Sequence, residues 1–261
     1  MTALGRLPEH LSVDDPSEPF TRRSWRYVTR RALRRTRELL GDDPVFLPIV
    51  LRSTPTGNVR KISPDTQIVI EGFPRSGNTF AFFALKHAEQ LAGRDVNIAS
   101  HVHTPSQVRL AAWERYPTLV VIREPIDVIT SLLIAAPHVR FASAIKEYTH
   151  HHREIFPLRD RFEIGTFREV TKDFGAVTER VNARFGTDFA RFDPADEDAV
   201  FEAIEENHRV LHGGTENVVP RPSNLRKAEK DWLLEQLAQP QYADLMAEAE
   251  AVYQDYEDAV S

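Results

Sequence analysis

The chain contains the sequence Ile68-Val-Ile-Glu-Gly-Phe-Pro-Arg-Ser-Gly-Asn-Thr79, in which a short apolar run leads into a turn with two glycines. The run is rich in β-branched residues and lies between Pro64 and Pro74, a pattern that predicts a buried strand. Residues 78–92 are mostly apolar and stop at Gly93, which predicts a buried helix. A helix N-terminus after such a turn points its backbone N–H groups at an anion, so this segment predicts a phosphate cradle.

The cradle departs from the phosphate loop of nucleotide triphosphatases at one position. Gly72 to Thr79 matches the pattern G-x-x-x-x-G-K-[ST] at both glycines and at the last residue. Asn78 stands where those enzymes carry the lysine that holds the β- and γ-phosphates of ATP or GTP. The positive charge of the segment lies instead at Arg75, inside the turn. The segment therefore predicts a phosphate site without the triphosphate lysine, and the alternative is an ordinary strand-to-helix turn.

A second strand signal ends in an arginine. Residues 118–122 read Thr-Leu-Val-Val-Ile, Arg123 follows them, and Ser131 comes eight residues later on the next predicted helix. In nucleotide triphosphatases a strand at this place often ends in an aspartate for Mg²⁺. An arginine at the carboxyl end of a parallel strand lies where ligands bind in open sheets, and its planar fork suits phosphate. Arg123 is thus a candidate phosphate ligand, and the alternative is an ion pair with Glu124 or Asp127.

Strands and helices alternate along the middle of the chain. The hydrophobic pattern predicts strands at about residues 67–72, 96–103, 118–123 and 162–167, with helices between them. After Asp188 the pattern is mostly helical. The sequence therefore predicts an α/β fold with a central parallel sheet, helices on both faces and a helical C-terminal third.

The composition excludes several classes of protein. Hydrophobic residues make up 41% of the 261 residues and charged residues 28%, which supports a core and excludes a disordered chain. The absence of cysteine excludes a disulfide scaffold, a thiolate metal site and a cysteine nucleophile. No apolar run reaches the roughly 18 residues of a membrane helix, and residues 1–20 contain no signal-peptide run. We therefore expect a cytoplasmic protein without an integral membrane segment.

The charge is unevenly distributed. The net charge of −6 makes nucleic acid an unfavourable partner. Eight arginines nevertheless lie within residues 22–37, while the sequence from Ala247 onward is acidic. We interpret residues 22–37 as a solvated helix, with binding to anionic lipid or nucleic acid as the alternative.

Together the two phosphate-site segments resemble the sulfotransferase family, in its bacterial type, that uses 3′-phosphoadenosine 5′-phosphosulfate (PAPS). Pro74-Arg-Ser-Gly-Asn-Thr79 is similar to the family's 5′-phosphosulfate loop. Arg123-Glu-Pro with Ser131 is similar to its 3′-phosphate motif, including the eight-residue spacing. The resemblance covers residues 66–131 and extends more loosely to Gly186. Many members carry lysine where this chain has Arg75 and threonine where it has Asn78.

The resemblance implies a single domain with a P-loop-like sulfotransferase fold and an enzyme that needs no metal. The expected reaction transfers a sulfuryl group from PAPS to a hydroxyl of a small-molecule, lipid or carbohydrate acceptor, and adenosine 3′,5′-bisphosphate (PAP) is the product. Residues 1–44 would form an arm and the arginine-rich helix, residues 65–186 the nucleotide-binding core, and residues 187–261 a helical lid with part of the 3′-phosphate site.

The resemblance also assigns the donor ligands. The 5′-phosphosulfate would lie on residues 75–79, with Arg75 stabilising the charge that develops on the bridging oxygen, and the 3′-phosphate on Arg123 and Ser131. The family's glycine-rich 3′-phosphate loop has no visible counterpart, and residues 219–227 stand in its place. The expected donor ligands are Arg75, Ser76, Gly77, Asn78, Thr79, Arg123, Ser131, Arg221, Arg226 and Lys227.

Sulfuryl transfer to a hydroxyl needs a general base near the acceptor oxygen, and histidine suits this role because its pKa is ordinarily about 6.5. His101 and His103 end the second predicted strand and, with a period of two, would point to the same side. In the resembled family a histidine near this strand end is often the base. We favour His103 over His101, and the other histidine would support it by hydrogen bonding.

The three consecutive histidines 150–152 suggest a metal site at first sight. Adjacent residues of a helix point in different directions, so they cannot all bind one ion. The sequence therefore favours a solvated helix face without a metal.

Two other functions compete with sulfuryl transfer. A small-molecule or nucleotide kinase with a diverged phosphate loop would need Mg²⁺ and a replacement for the missing lysine. A non-catalytic nucleotide-binding module would keep the cradle but would not need a histidine at the strand end.

Overall fold

Four parallel strands form the centre of the computed structural model, which describes residues 32–34, 36, 40–53, 59–136, 139–212 and 224–260. Their order across the sheet is β2-β1-β3-β4, and each neighbouring pair is parallel. The strands are β1 Ile68–Glu71, β2 Ile98–Ser100, β3 Thr118–Ile122 and β4 Glu163–Thr166.

Helices connect each strand to the next, as parallel pairing requires. Within the described ranges the helices are α1 Leu47–Ser53, α2 Asn78–Leu91, α3 Pro105–Glu114, α4 Pro125–Ala135, α5 Phe141–Ile155, α6 Phe167–Lys172, α7 Phe174–Phe185, α8 Glu197–His212, α9 Asn224–Leu237 and α10 Ala243–Val260. Helix α2 joins β1 to β2, α3 joins β2 to β3, and α4 and α5 lie between β3 and β4.

The two faces of the sheet pack against different helices, because successive strand residues point to opposite sides. Ile68 and Ile70 of β1 belong to an apolar cluster formed with α2, α7 and α8. Val120 and Ile122 of β3 pack on the opposite side with residues of α3, α5 and α10. Helices therefore cover both faces of a sheet whose strands are buried along their whole length.

The C-terminal helices extend this packing. Leu233 and Leu237 of α9 join Ala249 of α10 in a third apolar cluster with α4 and α5. The hydroxyl of Tyr256 on α10 donates a hydrogen bond to the carbonyl of His152 on α5, at 2.8 Å. The predicted α/β fold with a parallel sheet and a helical last third is confirmed. The lid role predicted for residues 187–261 stays a prediction.

The N-terminal predictions fall mainly outside the described residues. These include the arm at residues 1–20 and most of the arginine-rich segment at residues 22–37. Described residues 32–34 and 36 are helical, and Arg34 pairs with Glu147 of α5. In the described ranges, no helix combines the length and the apolar character that crossing a bilayer requires.

The strand order creates a switch point at the carboxyl end of the sheet. The chain passes from β1 to β2 on one side and then crosses to β3 on the other side, so β1 and β3 are neighbours whose connections diverge. In open parallel sheets, ligands bind in the crevice that this divergence leaves.

Candidate functional site

Two of the predicted motifs meet at this switch point. Residues 72–77, which we call the β1 loop, follow β1 and lead into α2, while Arg123 follows β3 directly. The backbone at Gly72 lies very close to that of β3. A Cβ added to Gly72 would be only 2.2 Å from the carbonyl oxygen of Val121. Only glycine therefore fits where the β1 loop leaves the sheet.

The backbone of the β1 loop is suited to an anion. Arg75 and Gly77 have left-handed φ values of 74° and 104°, and the Ser76 N–H donates to the Phe73 carbonyl at 3.2 Å. Gly77 is the N-cap of α2, and no side chain caps the helix there. A turn of this kind before a helix N-terminus presents backbone amides together with the positive end of the helix dipole.

The side chain of Asn78 braces the β1 loop from within. Its Nδ2 donates to the carbonyls of Gly72 at 3.2 Å and Phe73 at 3.1 Å, and the residue is only 3% exposed. The sequence placed Asn78 among the donor ligands. In the structure its side chain lies beneath the loop, and its backbone belongs to the first turn of α2. A lysine side chain at position 78 would therefore leave the backbone at a buried point beneath the loop, and not at the opening of the cradle.

The predicted 5′- and 3′-phosphate motifs are in direct contact. Arg75 Nε donates to the hydroxyl of Ser131 on α4 at 3.1 Å, and Arg123 Nη1 donates to the carbonyl of Arg75 at 3.1 Å. Among the described residues, Arg123 does not form the alternative ion pair with Glu124 or Asp127. Asp127 instead pairs with Lys230 of α9. The structure thus brings the cation of the loop together with both residues of the second motif.

Arg123 is held by an aromatic ring and is partly desolvated. Its guanidinium carbon lies 4.0 Å from the centroid of the Phe167 ring. Burial lowers the pKa of Arg123, and the charges of Asp127 and Glu124 oppose this effect. Its Nε is buried and has no hydrogen-bond partner among the described residues. A buried cationic donor in this state favours an anionic ligand beside it.

The carbonyl of Arg123 is also fixed, from the side of α5. Tyr148 is fully buried and donates from its hydroxyl to that carbonyl at 2.9 Å. The ring of Phe73 in the β1 loop packs edge-on against Tyr148, with centroids 5.5 Å apart. Helix α5 therefore supports both halves of the site.

The two candidate bases lie close together but outside the strand. Strand β2 ends at Ser100, and His101 and His103 have left-handed φ values of 64° and 56°. The period-two argument from the sequence is therefore wrong, because it assumed extended backbone to residue 103. The imidazole rings nevertheless approach each other, with centroids 5.5 Å apart.

The hydrogen bonds distinguish the two histidines chemically. His103 Nδ1 lies 2.8 Å from the carbonyl oxygen of Gly72, which can only accept, so Nδ1 carries the proton and Nε2 is the basic nitrogen of the neutral ring. His101 shares hydrogen bonds with Thr79 Oγ1 through Nε2 and with Ser100 Oγ through Nδ1. Burial, together with the charge of Arg60, lowers the pKa of His101 to about 4. These hydrogen bonds favour His103 over His101 as the candidate base.

A buried glutamate organises the backbone between the two histidines. The carboxylate of Glu71 accepts hydrogen bonds from the Val102 N–H at 2.8 Å, the His103 N–H at 3.1 Å and Gln107 Nε2 at 2.9 Å. Burial raises the pKa of Glu71 to about 7, although these hydrogen bonds act in the opposite direction. Glu71 is not among the site residues predicted from the sequence. The sequence signal that could have identified it is a carboxylate at the end of an otherwise apolar strand.

The histidines of α5 correct another expectation. His150 is exposed and bonds to Asp42, as a solvated helix face requires. His151 and His152 are instead 3% and 0% exposed, and Phe73 of the β1 loop packs against both rings. The interpretation of the whole triplet as a solvated face is wrong, because α5 turns these two residues toward the core.

The remaining predicted ligands lie at the limits of what is described. Arg221 lies outside the described residues. Arg226 and Lys227 lie in the first turn of α9, and their side chains are outside the described part of the structure. Across the described ranges, no three histidine, aspartate or glutamate side chains are grouped so as to hold a metal ion.

A cavity of about 490 Å³ opens beside the Arg123–Phe167 pair, at the carboxyl ends of β3 and β4. Its walls include direct sequence neighbours of both residues, together with parts of α7 and α10. Its lining residues are Glu124, Thr166, Arg168, Glu169, Lys172, Asp173, Ala176, Arg180, Tyr253, Glu257 and Val260.

Comparison of the sequence with models of known protein families and with curated proteins finds no match.

Proposed function

We propose that the protein is a PAPS-dependent sulfotransferase that transfers a sulfuryl group to a hydroxyl of a small-molecule, lipid or carbohydrate acceptor. In this proposal the α/β domain has the P-loop-like sulfotransferase fold. The observation that carries the proposal is the contact between two motifs that lie far apart in the sequence. Arg75 is bonded to Ser131, and Arg123 is bonded to the backbone of Arg75. Two arginines and a helix N-terminus then lie together at the switch point, which suits a ligand with two separate anionic groups.

The residues at this edge fit such a donor. The buried Arg123 Nε and Ser76 Oγ have no hydrogen-bond partner within the described ranges, so a phosphate oxygen would satisfy donors that the protein leaves unpaired. The β1 loop and Arg75 would hold the 5′-phosphosulfate, and Arg123 with Ser131 would hold the 3′-phosphate.

The proposed reaction is an in-line displacement at sulfur. The acceptor oxygen forms a bond to sulfur while the bond from sulfur to the 5′-phosphate oxygen breaks, which releases PAP. The proton of the acceptor hydroxyl passes to Nε2 of His103, whose Nδ1–H stays bonded to the Gly72 carbonyl. Arg75 stabilises the negative charge that develops on the departing oxygen.

The position of Asn78 argues against the kinase alternative. A kinase phosphate loop needs a cation at this position, facing the β- and γ-phosphates. Asn78 is uncharged, and its side chain is committed to two carbonyls of the β1 loop. The cation of the loop, Arg75, is directed to Ser131 instead.

Ligand binding and turnover together test the proposal. PAP should raise the melting temperature more than ATP with Mg²⁺ at equal concentration, and Arg123→Ala should reduce the PAP effect, whereas Arg161→Ala should not, since Arg161 is exposed and precedes the amino end of β4. Labelled PAPS incubated with a phenol, an alkyl alcohol and a hexose should transfer its sulfuryl group to at least one of them. A larger, Mg²⁺-dependent shift with ATP would overturn the proposal in favour of a kinase. If the protein binds PAP but neither transfers the sulfuryl group nor hydrolyses PAPS, the non-catalytic nucleotide-binding module is favoured.

A further inference from the structure

A buried carboxylate lies between the β1 loop and the turn that carries His103. Glu71 Oε1 accepts hydrogen bonds from the Val102 N–H and from Gln107 Nε2. Glu71 Oε2 accepts from the His103 N–H and lies 3.7 Å from His103 Nδ1. The side chain of Glu71 is fully buried, while that of His103 is 18% exposed. Glu71 therefore stands behind the imidazole, on its inner side.

We propose that ionised Glu71 is a positioning residue that fixes the His103 imidazole and stabilises its protonated form during transfer. The proposal rests on the function proposed above, because it takes His103 as the base. Glu71 does not contact the reacting atoms and acts through His103 alone.

The first part of this role is conformational. A left-handed φ is unfavourable for residues with a Cβ, yet His101 and His103 both adopt it within three residues. The carboxylate bonds two consecutive backbone N–H groups, those of Val102 and His103, and so holds the chain in this turn. Gly72, the next residue after Glu71, accepts the Nδ1–H bond. Two consecutive residues, the last of β1 and the first of the β1 loop, thus fix the backbone and the ring of His103.

The second part of the role is electrostatic. When His103 Nε2 takes the proton of the acceptor hydroxyl, the O–H bond breaks, an N–H bond forms and the ring becomes positive. A carboxylate 3.7 Å from Nδ1 stabilises that positive form. Burial raises the pKa of Glu71 to about 7, so the charge beside Nδ1 changes near neutral pH, and we expect the protonation of His103 to respond to that change.

The other titratable groups around His103 contribute little charge at neutral pH. His101 belongs to the same turn, and His151 reaches toward His103 from α5. Burial lowers the pKa of both, so both are neutral there. On α3 the neighbour of Glu71 is the uncharged Gln107, and the positive charge of Arg60 acts on His101. Glu71 is thus a carboxylate within 3.7 Å of His103 Nδ1 whose charge can change when His103 is protonated.

The experiment follows the ring resonances of His103 by NMR during a pH titration. In Glu71→Gln we expect the His103 midpoint to fall by about one unit and the coupled curve to become a single step. The matched control is Glu89→Gln, since Glu89 is another buried carboxylate, bonded to Arg94 and to the Ala190 N–H, on the far end of α2. It should lower the melting temperature without moving the His103 curve. An unchanged His103 curve in folded Glu71→Gln would overturn the proposal.

A second variant covers the case in which Glu71→Gln does not fold. Gln107→Leu removes one donor from the carboxylate but keeps its charge, so the Glu71-dependent step in the His103 curve should move to higher pH. A curve identical to the wild type would count against the proposal.

Release of PAP from PAPS in water alone gives a separate readout of the chemistry. We expect Glu71→Gln to slow it at least tenfold while the dissociation constant for PAP stays within twofold. If the wild type neither binds PAP nor releases it, the proposed function fails, and the NMR titration still decides whether Glu71 controls His103.

Discussion

Arg75 of the β1 loop donates a hydrogen bond to the hydroxyl of Ser131, a residue 56 positions further along the chain and on the helix that follows the neighbouring strand. The bond ties the cation of one motif to the hydroxyl of the other. A ligand phosphate bound at either motif would therefore meet side chains whose positions are already set by its counterpart.

Replacement of Ser131 tests this link. Ser131→Ala removes a hydroxyl that orients Arg75 and that we expect to bind the 3′-phosphate, so affinity for PAP should fall about tenfold. Calorimetric titration with PAP measures this affinity. Thr130→Val is the control, because the Thr130 hydroxyl bonds the Ile126 carbonyl of its own helix. Equal affinities of the two variants would show that Ser131 does not bind the nucleotide.

Replacement of Arg123 tests the assignment of the 3′-phosphate. A charge-assisted bidentate contact contributes roughly 1.5–3 kcal/mol, so Arg123→Ala should weaken PAP by about tenfold to a hundredfold. The loss should be smaller for adenosine 5′-phosphosulfate, which lacks the 3′-phosphate. Part of the loss of affinity will be common to both nucleotides, since Arg123 also donates a hydrogen bond to the Arg75 carbonyl. If the two nucleotides lose affinity equally, Arg123 does not bind the 3′-phosphate and only supports the β1 loop.

The histidine variants separate base from support. His103→Ala should leave PAP affinity close to the wild type and reduce turnover by about a hundredfold to ten-thousandfold, the usual contribution of a positioned base. His101→Ala should have a smaller effect on turnover, because both ring nitrogens of His101 are occupied by Thr79 and Ser100. The initial rate of transfer from PAPS measures both. The reverse order of effects would exchange the two roles, and no effect of either would exclude a histidine base.

Asn78→Lys restores the residue of a nucleotide triphosphatase loop, but we expect no gain of ATP binding. The lysine would replace a side chain that is 3% exposed and bonded to two carbonyls. The free energy of unfolding should therefore fall by roughly 3 kcal/mol or more. Urea denaturation with and without ATP and Mg²⁺ measures both effects. Stabilisation of the variant by ATP would mean that position 78 faces the ligand.

Acidification should destabilise the protein between pH 6.5 and about 4. Burial lowers the pKa of His101 and His152 to about 4 and also lowers that of His151, so in this window the unfolded chain binds protons that the folded chain does not. Glu71 acts in the opposite direction between pH 4.5 and about 7, because its raised pKa lets the folded state bind the proton first. Three histidines outweigh one carboxyl group.

Melting temperatures at pH 7.5 and 5 measure this dependence. His151→Leu should lose less stability on acidification than the wild type, since it removes one of the three histidines and a ring nitrogen with no partner in the described ranges. An equal loss in the two proteins would mean that His151 is already protonated when folded.

Much of the fold was predictable because its signals are local. The apolar run before Gly72 and the run before Arg123 each lie in a single window of sequence, and both form strands at the predicted place. Pro125 begins α4, and Ser131, predicted to lie on the helix after β3, is in the second turn of that helix.

The errors concern residues whose conformation depends on partners distant in the sequence. The predicted extension of β2 to His103 failed because the carboxylate of Glu71, more than thirty positions earlier, takes the backbone N–H groups that a strand would offer to its neighbour. His151 and His152 were assigned to the surface because their burial depends on Phe73 and on the way α5 packs. No window of sequence contains both members of either pair.

The strand order also has a consequence for the order in which the site can form. A chain synthesised from its N-terminus produces the β1 loop long before Ser131, and the carbonyl of Val121, against which Gly72 packs, is made only with β3. During that interval the glycine turn has neither its hydrogen-bonded serine nor the neighbouring strand that limits its shape. The contacts that shape the β1 loop are therefore complete only when both β3 and α4 are present, and a nascent chain that stops before β3 would carry the β1 loop without them.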